Sequence, residues 1–269
     1  MPTRAAHWPY PDWIAHRGAG RLAPENTLAA FERGWELGWR MFECDVKLSA
    51  DGVPFLLHDA TLDRTTSGTG PANALPWAEL ATLDAGGWHG PVHTGEPLPT
   101  LAALAQWCLA RGALLNLEIK PSPGTAQATG QTVAQAVQRL WGAKRAGQPG
   151  GPAWPLLTSF DPSALEAARL AAPELPRGLL LSQLWPGAWD AASALGVVAV
   201  VAHHPLWTAE RLTWARQLGW RTLGYTVNDA TDAERLRNWG IDGLISDRVD
   251  LLGPGALNGA PGTTPPPCP

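Results

Sequence analysis

Short apolar runs alternate along the chain with longer stretches in which apolar residues recur at helical spacing, from Asp12 onward. The runs predict strands over Trp13–His16, Met41–Leu48, Val53–His58, Ala113–Lys120 and Leu156–Phe160. Further strands are predicted over Gly178–Ser182, Val197–His203, Thr222–Val227 and Gly243–Ser246. The stretches between them predict helices over Thr27–Leu37, Leu101–Arg111, Gln131–Trp141, Pro162–Ala171, Ala209–Leu218 and Ala230–Trp239. Asn26 or Thr27, Asp161, Thr208 and Asp229 stand where N-caps belong, because their short side chains accept from otherwise unpaired N–H groups. Pro162 suits a first helical turn.

Strand and helix alternating this regularly imply a parallel sheet covered by helices, an α/β fold. About eight such units in roughly 250 residues match the size of a closed TIM-type (β/α)8 barrel. A doubly wound open sheet is the alternative. Two stretches break the alternation. "SADGVP", residues 49–54, reads as a hairpin turn, so Met41–His58 is a pair of strands rather than one. Residues 59–99 have little periodicity and much Gly, Pro and Thr; they predict a small insertion after the second strand region, lying over the barrel mouth. The expected organisation is one catalytic barrel domain over residues 1–252 and a flexible Pro/Gly-rich tail over 253–269.

Composition narrows the functional classes. A hydrophobic share of 45% in 269 residues supports a sizeable core. Nothing in the net charge of −4 suggests a nucleic-acid surface, and an anionic substrate needs a local cluster of cations. Cys44, Cys108 and Cys268 are odd in number and lack metal-ligand spacing, which argues against a disulfide framework and fits a reducing compartment. The opening "MPTRAAHWPYPDW" has no apolar core or cleavage region of a signal peptide; with Met1 as the start, a cytoplasmic protein is expected. The weakly charged stretch from Gly178 to Ala202 is interrupted by Ser182, Gln183, Pro186 and Gly187, and reads as two buried strands flanking a helix rather than a membrane span. Trp, at 15 residues, points to packing and identifies no function.

In a barrel of this kind function sits at the C-terminal ends of the strands, and the unusual polar residues fall there. His16 and Arg17 end the first strand, Glu43 and Asp45 lie in the second, His58 ends its hairpin partner, and Glu118 and Lys120 finish "LLNLEIK". Side chains alternate along a strand, so Glu43 and Asp45 share a face with Cys44 opposite. By the same rule Asn116, Glu118 and Lys120 oppose Leu115, Leu117 and Ile119. The apolar faces suit helices; the polar faces must then look into the barrel, where unpaired charge is very costly. Three inward carboxylates need cations, protons or a metal. All-oxygen donors suit Mg2+ or Ca2+. Arg17 and Lys120 add charge for an anion, and two imidazoles serve proton transfer near neutral pH. Each feature alone has a plain structural reading, as a loop histidine, an edge face or a Glu–Lys pair. Their joint placement at strand ends describes a phosphoester site.

The segments "HRG" at 16–18, "PENT" at 24–27, "ECD" at 43–45, "LLHDATLDRTTSGTG" at 56–70, "NLEIK" at 116–120, "YTVN" at 225–228 and "IDGLISD" at 241–247 follow one another in this order. In that order the chain resembles the glycerophosphodiester phosphodiesterase family, across residues 14 to 247. The resemblance implies a TIM-type barrel and metal-dependent hydrolysis of glycerophosphodiesters to glycerol 3-phosphate and an alcohol. It implies one divalent cation, Mg2+ or Ca2+, on Glu43, Asp45 and Glu118, with catalysis by His16 and His58. Arg17 and Lys120 would hold the phosphate, and Glu25 would support the site by orienting Arg17 or a metal-bound water. Tyr225 stands where many relatives carry Trp and would line the glycerol or alcohol pocket, and the short insertion resembles bacterial cytosolic members. The nucleophile is open between water and the glycerol 2-hydroxyl, as are the acid and base roles of the two histidines, the head-group alcohol and the oligomeric state. Two competing readings keep the fold. A lysophospholipase D or phospholipase C-like enzyme would want an apolar rim, for which Trp77 and Trp88 are the candidates; otherwise no stable membrane association is expected. A catalytically inert phosphodiester-binding barrel is disfavoured because every expected position is filled.

Overall fold

Nine strands and eight helices make up the computed structural model, which describes residues 8–145 and 151–254. The first seven residues and the tail from 255, with Cys268, lie outside the described residues. The strands are β1 (Trp13–Ala15), β2 (Met41–Leu48), β3 (Pro54–Leu56), β4 (Leu114–Ile119), β5 (Leu156–Ser159), β6 (Arg177–Leu181), β7 (Ala199–His203), β8 (Arg221–Tyr225) and β9 (Gly243–Ser246). The helices are α1 (Leu28–Glu36), α2 (Trp77–Leu80), α3 (Leu101–Arg111), α4 (Ala126–Arg145), α5 (Pro162–Ala171), α6 (Ala188–Ala194), α7 (Ala209–Gln217) and α8 (Ala230–Asn238). Eight strands run parallel, and β1 pairs with both β2 and β9, so the sheet closes into a TIM-type barrel and the open-sheet alternative falls away. β3 hangs on β2 in antiparallel fashion, as the "SADGVP" turn predicts.

The caps follow the sequence. Thr27, Asp161, Thr208 and Asp229 each accept from backbone N–H groups of the helix they precede, so Thr27, not Asn26, caps α1. One helix differs in length: α4 begins at Ala126, five residues before the predicted start. A Cβ at Gly130 would sit 2.1 Å from the Ala164 carbonyl oxygen, so glycine is what lets α4 lie against α5.

Alternation along the strands separates two cores. Phe42, Cys44, Val46, Leu115, Leu117 and Ile119 face the helices within the large outer core. That core absorbs most tryptophans: Trp39 and Trp207 are fully buried and donate to the Val249 and Leu223 carbonyls, which satisfies their one polar atom. Inside the barrel, Ile14, Met41, Leu156, Val201, Leu223 and Ile245 fill the lower layers, with Tyr10 packed beneath them. The segment from 57 to 100 has a small core of its own, with Leu57, Leu62, Ala72, Leu80, Ala85 and Leu98 gathered on Phe55. It forms a cap tied to the barrel by β3, by the Phe55–Thr100 bridge, and by Glu96, which accepts from the Ala29 N–H in the first turn of α1.

Candidate active site

Strand register assembles the site. β2 and β4 pair so that Asp45 lies beside Glu118 and Glu43 beside Asn116. Ala15 pairs with Phe42 and with Ser246, which brings His16 next to Glu43 on one side and Asp247 on the other. The predicted residues converge: His16, Arg17, Glu43, His58, Glu118, Lys120 and Tyr225 line one cavity at the top of the barrel, with Phe160, Leu180 and Ile245. Asp45 and Glu25 stand behind that lining and act on it through hydrogen bonds. A larger open groove between α4, α5 and α6 is lined mainly by Gln127, Gln131, Gln135 and alanines and gathers no basic group.

The turn after β1 is held in a demanding shape. Arg17 (φ 50°) and Asn26 (φ 60°) are the two non-glycine residues with positive φ among the described residues. Such backbone persists only where the surroundings over-determine it. Here the Arg17 N–H donates to Glu43 Oε2 at 3.0 Å, and the Asn26 N–H donates to the Arg17 carbonyl. The Asn26 side chain then closes a reciprocal pair, with Nδ2 donating to Asp45 Oδ2 at 2.8 Å and its Oδ1 accepting from the Asp45 N–H at 3.0 Å.

Glu43, Asp45 and Glu118 are buried, and one oxygen from each lies within 4.8 Å of the others. Burial together with the neighbouring Asp45 and Glu118 charges pushes the Glu43 carboxyl well above the usual range. Burial and Asp45 push Glu118 up to about 7. Asp45 goes the other way: burial opposes its charge, but Lys120, Arg17 and His58 outweigh that and hold its carboxyl below the usual range. Three crowded, buried oxygen donors of which two are reluctant to ionise make a set that fits a hard divalent cation. Lys120 Nζ provides the counter-charge in the structure, 3.2 Å from Asp45 Oδ1 and 3.1 Å from Glu118 Oε1.

His16 and His58 each have a carboxylate on Nδ1. His16 Nδ1 is 2.5 Å from Asp247 Oδ1, and Asn228 Nδ2 donates to the other Asp247 oxygen at 2.9 Å. Hydrogen bonding and charge from His16 outweigh burial and hold Asp247 at about 2. His58 Nδ1 is 2.7 Å from Asp59 Oδ1. Burial, with Arg17 and Lys120, lowers the His58 pKa against the pull of Asp45, so its neutral form is favoured near pH 7. Arg17 donates to Glu25 Oε1 at 2.7 Å. The Tyr225 hydroxyl donates to the Leu181 carbonyl at 3.1 Å, fixing the ring edge-on to Phe160.

Sequence reasoning passed over Asn26, Asp59, Arg64, Asp247 and Lys47. Asp247 lay within reach of the strand-end rule, since it follows Ser246 at the end of β9. Lys47 continues the inward series of Glu43 and Asp45; it is buried, its Nζ donates to the Lys120 carbonyl, and burial and Lys120 lower its pKa to about 8. Asp59 and Arg64 sit in the motif that holds His58, where neither of the two gave a signal of its own.

Residues 16–251 match the model of the glycerophosphoryl diester phosphodiesterase family. The chain belongs to that family. A glycerophosphodiester phosphodiesterase of Caldanaerobacter subterraneus is 31% identical over 242 residues, spanning 89% of this chain and 95% of that protein. The structure of an Oleispira antarctica phosphodiesterase in complex with its product, sn-glycerol 3-phosphate, superposes with a TM-score of 0.83 at 32% identity, covering 93% of this chain and 97% of that one. A glycerophosphodiester phosphodiesterase from Agrobacterium tumefaciens superposes at 0.70, with 28% identity and 90% and 98% coverage. No helix among the described residues is long and apolar enough to cross a membrane.

Proposed function

We propose that this chain hydrolyses small, soluble glycerophosphodiesters to glycerol 3-phosphate and an alcohol, with Mg2+ or Ca2+ on Glu43, Asp45 and Glu118. The observation that carries the reading is the convergence of that buried carboxylate cluster with two carboxylate-paired imidazoles and two cations around one cavity. A bound divalent cation supplies charge neutralisation at the phosphoryl oxygens and lowers the cost of nucleophile ionisation. With the cluster so neutralised, Lys120 and Arg17 hold the phosphodiester, and Glu25 keeps the guanidinium aimed. Asp247 and Asp59 fix Nδ1 of His16 and His58, which leaves each Nε2 to move a proton. One imidazole takes the proton of the attacking hydroxyl; the other delivers one to the departing alkoxide. Phe160, Leu180 and Tyr225 form the apolar side on which the carbon skeleton rests.

The buried free thiols Cys44 and Cys108 support a cytoplasmic location. Lysophospholipid cleavage ranks second. Of its two rim tryptophans, Trp77 packs on Phe55 and Trp88 is exposed.

The test is release of glycerol 3-phosphate from glycerophosphocholine by metal-stripped protein with Mg2+ or Ca2+ added back. Release restored by a cation and lost in Glu43→Ala is the expected result, and the better cation identifies the cofactor. Folded protein that releases nothing with either cation overturns the reading, and lysophospholipids become the next substrates.

A further inference from the structure

The cap's most heavily bonded side chain reaches neither the cavity nor its own core. Arg64 stands between the two carboxylates that serve opposite sides of the site. Its Nη1 donates to Glu25 Oε2 at 2.8 Å and its Nη2 to Glu25 Oε1 at 2.8 Å. On the other side its Nε donates to Asp59 Oδ2 at 2.6 Å and its Nη2 to Asp59 Oδ1 at 3.1 Å. Glu25 Oε1 also accepts from Arg17, and Asp59 Oδ1 also meets His58 Nδ1. The chain of contacts therefore runs Arg17, Glu25, Arg64, Asp59, His58 without a break. A planar guanidinium can grip two carboxylates at fixed angles; an ammonium cannot.

We infer that Arg64 is a positioning residue, which locks the guanidinium of Arg17 and the imidazole of His58 into one geometry and couples the cap to the chemistry. The inference rests on the proposed reaction. It explains why a half-exposed arginine, in a setting where ion pairs add little to stability, spends its donors on these two carboxylates. It also gives the cap a purpose beyond covering the barrel: Glu25 comes from the β1 turn and Asp59 from the start of the cap, and Arg64 sets their separation.

The test compares Arg64→Ala, Arg64→Lys and Glu96→Ala with the wild type. Glu96 ties the cap to α1 and touches none of the site residues, so its removal loosens cap docking alone. Arg64→Ala is expected to lower kcat/KM about 10- to 100-fold, the size typical of losing a group that orients a site residue. Most of the loss falls in kcat, and Tm stays close to wild type. Arg64→Lys recovers only part of it, and guanidinium added to Arg64→Ala recovers more than added ammonium. Glu96→Ala keeps kcat/KM within about twofold of wild type. A readout that needs no turnover accompanies these: the His58 ring titration followed by NMR. Its neighbours Asp59, Asp45, Arg17 and Lys120 all remain in Arg64→Ala, so loss of the Arg64 charge should move the ring pKa upward. Wild-type kcat/KM with an unmoved His58 titration in Arg64→Ala overturns the inference. So does a Glu96→Ala loss equal to that of Arg64→Ala, which makes cap docking alone the cause. If the wild type releases no glycerol 3-phosphate, the reaction has failed, and the His58 titration still decides whether Arg64 governs that ring.

Discussion

The two walls of the cavity are built by opposite rules. The wall from β1, β2, β4 and the cap carries His16, Arg17, Glu43, His58, Glu118 and Lys120; the wall from β5 to β9 carries Phe160, Leu180, Tyr225 and Ile245. The charged wall gathers the local violations: both positive-φ non-glycine residues, two carboxyls pushed upward by burial, and a buried lysine. The apolar wall shows none of these. The difference teaches where stability and chemistry divide in this barrel. Strain and unfavourable burial concentrate where electrostatic work is to be done, and the apolar wall lowers the local polarity, which strengthens every charge interaction opposite it.

The sharpest break in the comparison is to deprive the carboxylate cluster of the cation proposed for it. Stripping divalent metal, or replacing Glu118 with Gln, is expected to lower turnover about 10³-fold or more, since a Lewis acid at a phosphoryl group supplies several kcal/mol. Steady-state release of glycerol 3-phosphate measures it; a metal-stripped enzyme at more than a tenth of full rate contradicts the cluster's role. His16→Ala and His58→Ala come next, at about 10²- to 10⁴-fold in kcat with unchanged circular dichroism. Asp247→Asn should fall short of His16→Ala, because it disturbs only the orientation of the ring. Equal losses would mean that Asp247 does more than orient.

How much of this was legible in the sequence follows the same divide. The barrel, the hairpin at β3, the caps at Thr27, Asp161, Thr208 and Asp229 and the inward Glu43–Asp45 and Glu118 pattern all come from period and cap chemistry, which are local. Convergence of the first strand with β2 and β4 is not local, and ordered motifs stood in for it. Asn26 shows the limit: at a helix start its neighbourhood suggests a cap, yet its side chain is spent on Asp45, 19 positions away. Arg64 was invisible for the same reason, since its bonding becomes apparent only once Glu25 lies beside it. Gly130 likewise has its reason in a neighbouring helix, α5, rather than in its own.

A pH experiment sharpens the charged wall without touching a residue. Glu43 and Glu118 have folded pKa values above their ordinary 4.5, about 7 for Glu118, owing first to burial. A raised pKa contributes stability that is present below the unfolded value and lost as pH rises through the folded one. The metal-free protein should therefore lose several degrees of Tm between about pH 5 and 8. Asp247, held at about 2, contributes stability that is constant in that window. His58, whose pKa is lowered, works against the trend by adding stability as pH rises through its unfolded value near 6.5. Saturating Mg2+ or Ca2+ should abolish the fall, because cation binding replaces the protons, and its affinity should climb up to about pH 7. A metal-free Tm that rises steadily from pH 5 to 8 would place the carboxyls in another state.

The apolar wall should yield the smallest effects. Tyr225 is oriented by its bond to the Leu181 carbonyl and by Phe160, and it carries no charge into the reaction. Replacing it with Trp keeps an aromatic face but moves the polar edge, so KM for glycerophosphocholine should shift by less than about tenfold while kcat holds, the range expected when a pocket changes by a few atoms. Leu180→Ala should act likewise, by opening space under the substrate. Measuring both across several head-group alcohols separates the walls by function. If the wall only supports the carbon skeleton, the substitutions reorder substrates through KM; a common fall in kcat would show that the apolar wall also positions the phosphate against the charged one.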